Sequence, residues 1–242
     1  LAPGLVTETT GSALALCATC AAPRTDPQRR IGLYRHAAPA TYALLPWVPA
    51  AGLLLRWFRD AFGEGRSFAE LDREAAAVPP GADGLLLLPH LNGAFSPDVN
   101  PAARGVFYGV TLAHRRAHFT RAILEAVAFL LLDQLDLLAA LGVPAERVCA
   151  LGGGAHSPLW LQIKADVLGR EVVTVDTDEV TALGVAVLAA AGAGLYATPA
   201  EAAARMVRLR GRFTPNPALA GAYAEGVRAY RRLNRLLIPT FG

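Results

Sequence analysis

The positions best suited to chemistry in this chain are bare ones. Gly152-Gly153-Gly154 follows an apolar run, Val148 to Leu151, and precedes Ser157-Pro158, a pair suited to the N-cap and first turn of a helix. Three positions without side chains let a ligand lie against the backbone, and free N–H groups at a helix start attract anions. A nucleotide-type ligand fits this pattern better than a plain strand-to-helix turn, which rarely needs three consecutive glycines. The spacing is not Gly-x-Gly-x-x-Gly, so a dinucleotide fold is disfavoured. Lys164 is the only lysine and closes no Gly-x-x-x-x-Gly-Lys-Ser/Thr motif, which excludes a P-loop.

Other constellations carry less. Cys17-Ala-Thr-Cys20 has the spacing of a redox or zinc half-site, but the only other cysteine is Cys149 and no second pair exists. Its apolar surroundings read as a buried strand in which cysteine is a small hydrophobe. His114 and His118 lie four apart, with Glu125 two turns further on. No third ligand accompanies them, so a core or interdomain-facing role is expected ahead of a metal. Arg121 and Glu125 are one turn apart and read as a local ion pair. Trp47 and Trp57 fall in apolar runs and are expected in the core, while Trp160 is expected to pack behind the glycine run. Small residues through Glu179 to Gly184 let that segment approach a neighbour closely, with Glu179 in reach of a ligand.

These residues need a scaffold, and the patterning supplies one. Leu5–Glu8 and Ala13–Thr19 are β-like runs joined by Thr9-Thr10-Gly11-Ser12. Arg30–Arg35 and Tyr42–Val48 are further strands. Ala51–Phe62 then has helical period, with Leu54, Trp57, Phe58 and Phe62 on one stripe, and Phe68–Val78 is a second helix ended by Pro79-Pro80-Gly81. Gly84–Leu91 is a continuous apolar run, as in a strand covered on both faces. Beyond a loop at 92–105, His114–Leu141 is the longest helix. Strands at Arg147–Leu151 and Glu171–Val175 alternate with helices at Ser157–Leu168 and Val180–Ala191, and helices at Pro199–Val207 and Leu219–Leu237 follow. Arg205–Arg212 reads as a solvated helix face and loop. This order predicts an α/β chain with a mixed sheet flanked by helices.

With 242 residues, 53% hydrophobic and 18% charged, one large core is within reach. The net charge of +3 points neither to nucleic acid nor to an acidic membrane, and no apolar stretch is long enough to span one. An odd cysteine count without a signal sequence fits a reducing, cytoplasmic compartment. The chain begins Leu1-Ala2-Pro3, without Met, and reads as a fragment.

In chain order these motifs resemble the C-terminal half of FGGY carbohydrate kinases. Gly152-Gly153-Gly154-Ala155-x-Ser157-x-x-Trp160-x-Gln162-x-x-Ala165-Asp166 is similar to that family's adenosine-binding end, as are Glu179-x-x-Ala182-Leu183-Gly184 and Gly194-x-Tyr196. Gly105-x-Phe107-x-Gly109-x-Thr111-Leu112-x-His114, followed by Arg121-Ala122-x-x-Glu125, resembles its central helix region. Ala51-Gly52-x-x-x-Arg56-Trp57 resembles the helix start that meets the nucleotide, and Thr10-Gly11-Ser12 its phosphate-binding turn. The resemblance implies an actin-like ATPase (ribonuclease H-like) domain across residues 1–242, with the sugar-binding N-terminal domain outside this chain. It implies ATP with Mg²⁺ as donor. Gly11 and Ser12 would cradle the β- and γ-phosphates with Gly52 and Arg56 nearby, and Gly152, Gly153, Gly154 and Ser157 would line adenine and ribose. The partner would be a small-molecule sugar, a ketopentose such as xylulose from the pentulose-kinase-like Gly105 and His114 region; a homodimer is compatible.

Two departures stand out. The family's general-base Asp precedes the phosphate turn and is expected upstream of Leu1; Glu8 and Asp26 are in the wrong context to replace it, leaving the isolated chain without sugar turnover. The family's Gly-Glu-Arg-x-Pro loop is Gly93-Ala94-Phe95-Ser96-Pro97 here. An actin-like ATPase or regulator, or a catalytically silent module, is the alternative.

Overall fold

The computed structural model describes residues 4–242, and the reading of Leu1-Ala2-Pro3 lies outside them. Ten strands and seven helices are described. The strands are β1 (Leu5–Thr10), β2 (Leu14–Cys20), β3 (Gly32–Arg35), β4 (Tyr42–Leu45), β5 (Trp47–Val48), β6 (Leu86–Leu88), β7 (Val106–Tyr108), β8 (Arg147–Leu151), β9 (Glu171–Val175) and β10 (Leu209–Phe213). The helices are α1 (Gly52–Phe62), α2 (Phe68–Ala76), α3 (Arg116–Ala140), α4 (Pro158–Leu168), α5 (Val180–Gly192), α6 (Pro199–Met206) and α7 (Ala220–Leu237).

The main sheet runs β10-β9-β8-β1-β2-β4-β3, with β5 also paired to β2. Its centre is parallel, β1 to β8 and β8 to β9, whereas the β1–β2 hairpin and β4, β3 and β10 are antiparallel. β1 alternates half-buried and buried positions, as a strand with one strongly covered face must. Val6, Leu14, Leu16, Val148 and Val172 share the principal core with residues of α1, α3, α4 and α7. Each fully buried leucine contributes roughly 2 kcal/mol of burial free energy to it. The smaller cluster of Cys149, Val173 and Val175 packs with Leu5, Leu151 and Val180. From Thr120 to Leu131 every residue of α3 is buried, which explains why its apolar residues lack a single stripe.

Four expectations need correction. Leu209–Phe213 is an edge strand antiparallel to β9, not a loop after a solvated helix. Its alternating arginines suit an exposed edge, and Arg212 meets Glu171 of β9 at 2.8 Å. Within the apolar run 84–91 only Leu86–Leu88 forms a strand, and it pairs with β7 in a separate two-stranded sheet. Trp47 and Trp57 are 48% and 40% exposed. On α1 the buried residues are Leu54, Leu55 and Phe58, so the covered stripe leaves Trp57 at its margin, edge-on to Phe62. Finally, Cys17 and Cys20 are only half-buried, and three residues apart on a strand their side chains leave opposite faces.

Candidate nucleotide site

Two turns meet at the C-terminal ends of the parallel strands, where ligands bind in open α/β sheets. The first joins β1 to β2 at Gly11-Ser12, and α1 begins directly against it. The Gly52 N–H donates to the Gly11 carbonyl at 3.0 Å, and those of Ala51 and Leu53 to the Ser12 carbonyl at 2.8 and 3.2 Å. A Cβ on Gly52 would run into the Gly11 carbonyl oxygen, so only glycine permits this approach. A Cβ at Gly11 itself would meet nothing within 4 Å, because that position faces open space.

The second turn leaves β8 through Gly152, whose φ of 76° lies in the left-handed region, and passes through one 3-10 turn, Gly153–His156. Ser157 then caps α4, its Oγ accepting from the Trp160 N–H at 3.0 Å, with Pro158 in the first turn. The three glycines do different work. A Cβ on Gly154 would lie 2.7 Å from the Thr10 Cβ, so its bareness is for packing against β1. Gly153 faces space, with Thr10's carbonyl oxygen 4.0 Å from an added Cβ as the nearest contact.

One cavity of about 660 Å³ joins the two turns, a volume typical of small-molecule sites. Gly11, Ser12, Gly52, Arg56, Gly153, Gly154 and Ser157 all line it, so seven of the eight residues expected from sequence converge. Gly152 does not; it borders a separate hollow of about 130 Å³ with Asp178 and Arg210. Trp160 is buried beside the cavity and donates its indole N–H to the Leu124 carbonyl at 3.0 Å, as expected of a residue packed behind the loop.

Sequence reasoning missed two features here. The first is a buried polar knot behind the loop. Lys164 and Glu8 are both 0% exposed, with Nζ 2.5 Å from a Glu8 carboxylate oxygen and 2.9 Å from Thr10 Oγ1. The Thr10 hydroxyl donates to the other Glu8 oxygen at 2.7 Å, and Lys164 also lies over the Trp160 ring. A lone lysine in an apolar helix and a glutamate in an apolar strand were its only signals. The second is α2, which brings Phe68, Ala69 and Asp72 to the cavity although no motif lies on it.

The remaining candidates serve the scaffold. Arg121 and Glu125 form the expected ion pair at 2.7 Å, both buried; Arg121 also donates to the Tyr223 hydroxyl and Glu125 accepts from the Gly81 N–H. Burial raises the Glu125 carboxyl despite that pairing. His114 and His118 accept from the Thr111 and Arg115 N–H groups through Nδ1, and each Nε2 faces Asp83. Among the described residues no three His, Cys, Asp or Glu side chains gather as metal ligands.

Residues 9–193 match the model of the C-terminal domain of the FGGY family of carbohydrate kinases. The chain belongs to this family. A xylulose kinase of Bacillus subtilis is 32% identical over 208 residues, covering 86% of this chain and 40% of that protein. A gluconokinase of the same species is 32% identical over 97% of this chain and 47% of its own length. The crystal structure of xylulose kinase from Rhodospirillum rubrum superposes with a TM-score of 0.90 at 35% identity, covering all of this chain and 49% of that one. The FGGY chain therefore spans less than half the length of these relatives, and its fold is the actin-like, ribonuclease-H-type domain expected from sequence. No described helix is long and apolar enough to cross a membrane.

Proposed function

We propose that this chain is the nucleotide-binding half of an ATP-dependent carbohydrate kinase that phosphorylates a sugar hydroxyl, with a ketopentose such as xylulose as acceptor. The observation that carries the reading is the continuity of one cavity from the Gly11-Ser12 turn to the Gly153-Gly154 loop. Gly11, bare on the cavity side, and Ser12, both held by α1, take the phosphate end, and Arg56 adds a positive charge there. Gly153, Gly154 and Ser157 take the nucleoside end, with Gly152 shaping the turn behind them. ATP supplies the transferable phosphoryl group, and this half contributes alignment and charge neutralisation, which phosphoryl transfer chiefly needs. With no carboxylate cluster at hand among the described residues, Mg²⁺ would travel on the phosphates. The general base and the sugar contacts belong to a sugar-binding half, and the compartment is cytoplasmic. Xylulose kinases among the relatives support the choice of sugar.

One observation favours a catalytically silent module instead. Where the family's Glu-Arg pair is expected, Ala94 is buried and the Phe95 ring packs 5.3 Å from Trp47, an apolar closure without a charge. Titration calorimetry of the chain with ATP and Mg²⁺ tests nucleotide binding, and absence of heat would count against the site. A panel of ketoses and polyols offered to the protein with both halves then separates kinase from silent module, while sugar-independent hydrolysis would mark an ATPase.

A further inference from the structure

The two turns of the cavity are tied together from behind by Glu8, Thr10 and Lys164. Thr10 immediately precedes the Gly11-Ser12 turn on β1, and Lys164 lies on α4, the helix that Ser157 caps. One turn before Lys164, the Trp160 ring lines the cavity and lies 4.9 Å from the ammonium. Glu8 and Lys164 are 0% exposed and Thr10 is 1% exposed, so these side chains act on a ligand only through the backbone they hold.

A buried ion pair adds little net stability over apolar residues of the same volume. What this one supplies is direction. The Thr10 hydroxyl accepts from Lys164 Nζ at 2.9 Å and gives its single proton to Glu8 at 2.7 Å. A hydroxyl engaged in both roles is held at one place, where an apolar contact would let it slide.

Thr10 is also where both turns rest. A Cβ built on Gly154 would lie 2.7 Å from Thr10 Cβ and 2.9 Å from its Cγ2. One built on Gly152 would lie 3.0 Å from the Thr10 carbonyl oxygen, and one on Gly52, the first residue of α1, 4.0 Å from Cγ2. Moving Thr10 therefore changes the distance between the phosphate turn and the nucleoside loop while leaving each of them whole.

We propose that Thr10, clamped by Lys164 and Glu8, is a positioning residue that sets the span between the phosphate and nucleoside ends of the site. This rests on the nucleotide reading above. A nucleoside triphosphate must engage both ends at once and feels the span. Adenosine and tripolyphosphate each need one end and are indifferent to it.

Calorimetry of the 242-residue chain with ATP, adenosine and tripolyphosphate, Mg²⁺ present throughout, tests it. Thr10→Val keeps the side-chain shape and removes the hydroxyl. It should bind ATP at least about tenfold more weakly and hold adenosine and tripolyphosphate within about twofold of the unaltered chain. Thr10→Ser keeps the hydroxyl and should bind ATP within about threefold. Glu8→Leu combined with Lys164→Met removes the clamp without stranding a charge, and should reproduce the Thr10→Val pattern. Thermal melting checks each fold, and the double substitution carries the test if Thr10→Val does not fold. Unchanged ATP affinity in either folded variant overturns the proposal. So does an equal loss for ATP and adenosine, which would mean that the nucleoside loop itself is damaged. A loss on Thr10→Ser as large as on Thr10→Val also overturns it, by assigning the effect to the methyl group. If the unaltered chain binds none of the three probes, the nucleotide site itself falls; if the variants bind ATP as the unaltered chain does, only the role of Thr10 falls.

Discussion

Two polar regions lie back to back across Thr10, and they are built on opposite plans. Behind Thr10, Glu8, Lys164 and the threonine hydroxyl use one another fully: both carboxylate oxygens are engaged and the ammonium has two acceptors and an aromatic ring. In front of Thr10, the cavity holds Arg56, exposed and in no ion pair among the described residues, beside the open face of Gly11. Both regions contain charge, yet only one is saturated. A closed network offers a ligand nothing and fixes β1 against α4. An exposed guanidinium that no carboxylate has claimed remains free to meet an anion. Charge alone is therefore a poor guide to a site, because a charge already neutralised by its neighbours is closed to a ligand.

The contrast breaks most visibly at Lys164. Lys164→Met strands a buried carboxylate, and should cost about 3–5 kcal/mol in urea denaturation. A loss below about 1 kcal/mol would mean that the knot is not holding the strands together. The adjoining Glu8→Leu change made in the same chain should recover much of the loss, since it removes the stranded charge.

On the cavity side, Gly153→Val should lower ATP affinity at least about tenfold in calorimetry and leave the melting temperature unchanged, because its side chain enters open space. Gly154→Val should lower both, since it strikes Thr10. If the two substitutions behave alike, the division of labour between these glycines is wrong.

A third region sharpens the comparison through pH. Asp133 on α3, paired with Arg231 of α7 at 2.6 Å, is pushed up to about 6, chiefly by burial. The folded state thus holds this proton more tightly than the unfolded chain, whose carboxyl titrates near 4. Its contribution to stability is fully present below pH about 4 and is lost as pH rises through about 6. Asp133→Asn should flatten that part of the denaturation-versus-pH curve without changing ATP affinity at pH 7. An unaltered slope would remove Asp133 as its source. The smallest effect is expected from Ser157→Ala, which removes the α4 cap and should cost about 1 kcal/mol of stability.

The linear order of elements and both turns were legible because their signals are local. Gly11-Ser12 and Gly152–Gly154 sit where apolar strand runs end, and Ser157-Pro158 marks a helix start whatever surrounds it. The misreadings concern partners. Leu209–Phe213 becomes a strand only because β9 offers it an edge, and Trp57 is exposed because α1 turns Leu55, rather than Trp57, to the core. Neither fact resides in the residues' own neighbourhood.

By itself the sequence determined which backbone would be bare, which residues would begin helices, and hence that an anionic ligand could be held where strand gives way to helix. Only the tertiary structure decided that Glu8 and Lys164, 156 residues apart, neutralise each other. It alone decided that α2, which carries no motif, faces the same cavity as the glycines. The reason is physical: φ preferences and capping act within a few residues, whereas desolvation and hydrogen-bond saturation are properties of whatever the folded chain brings alongside.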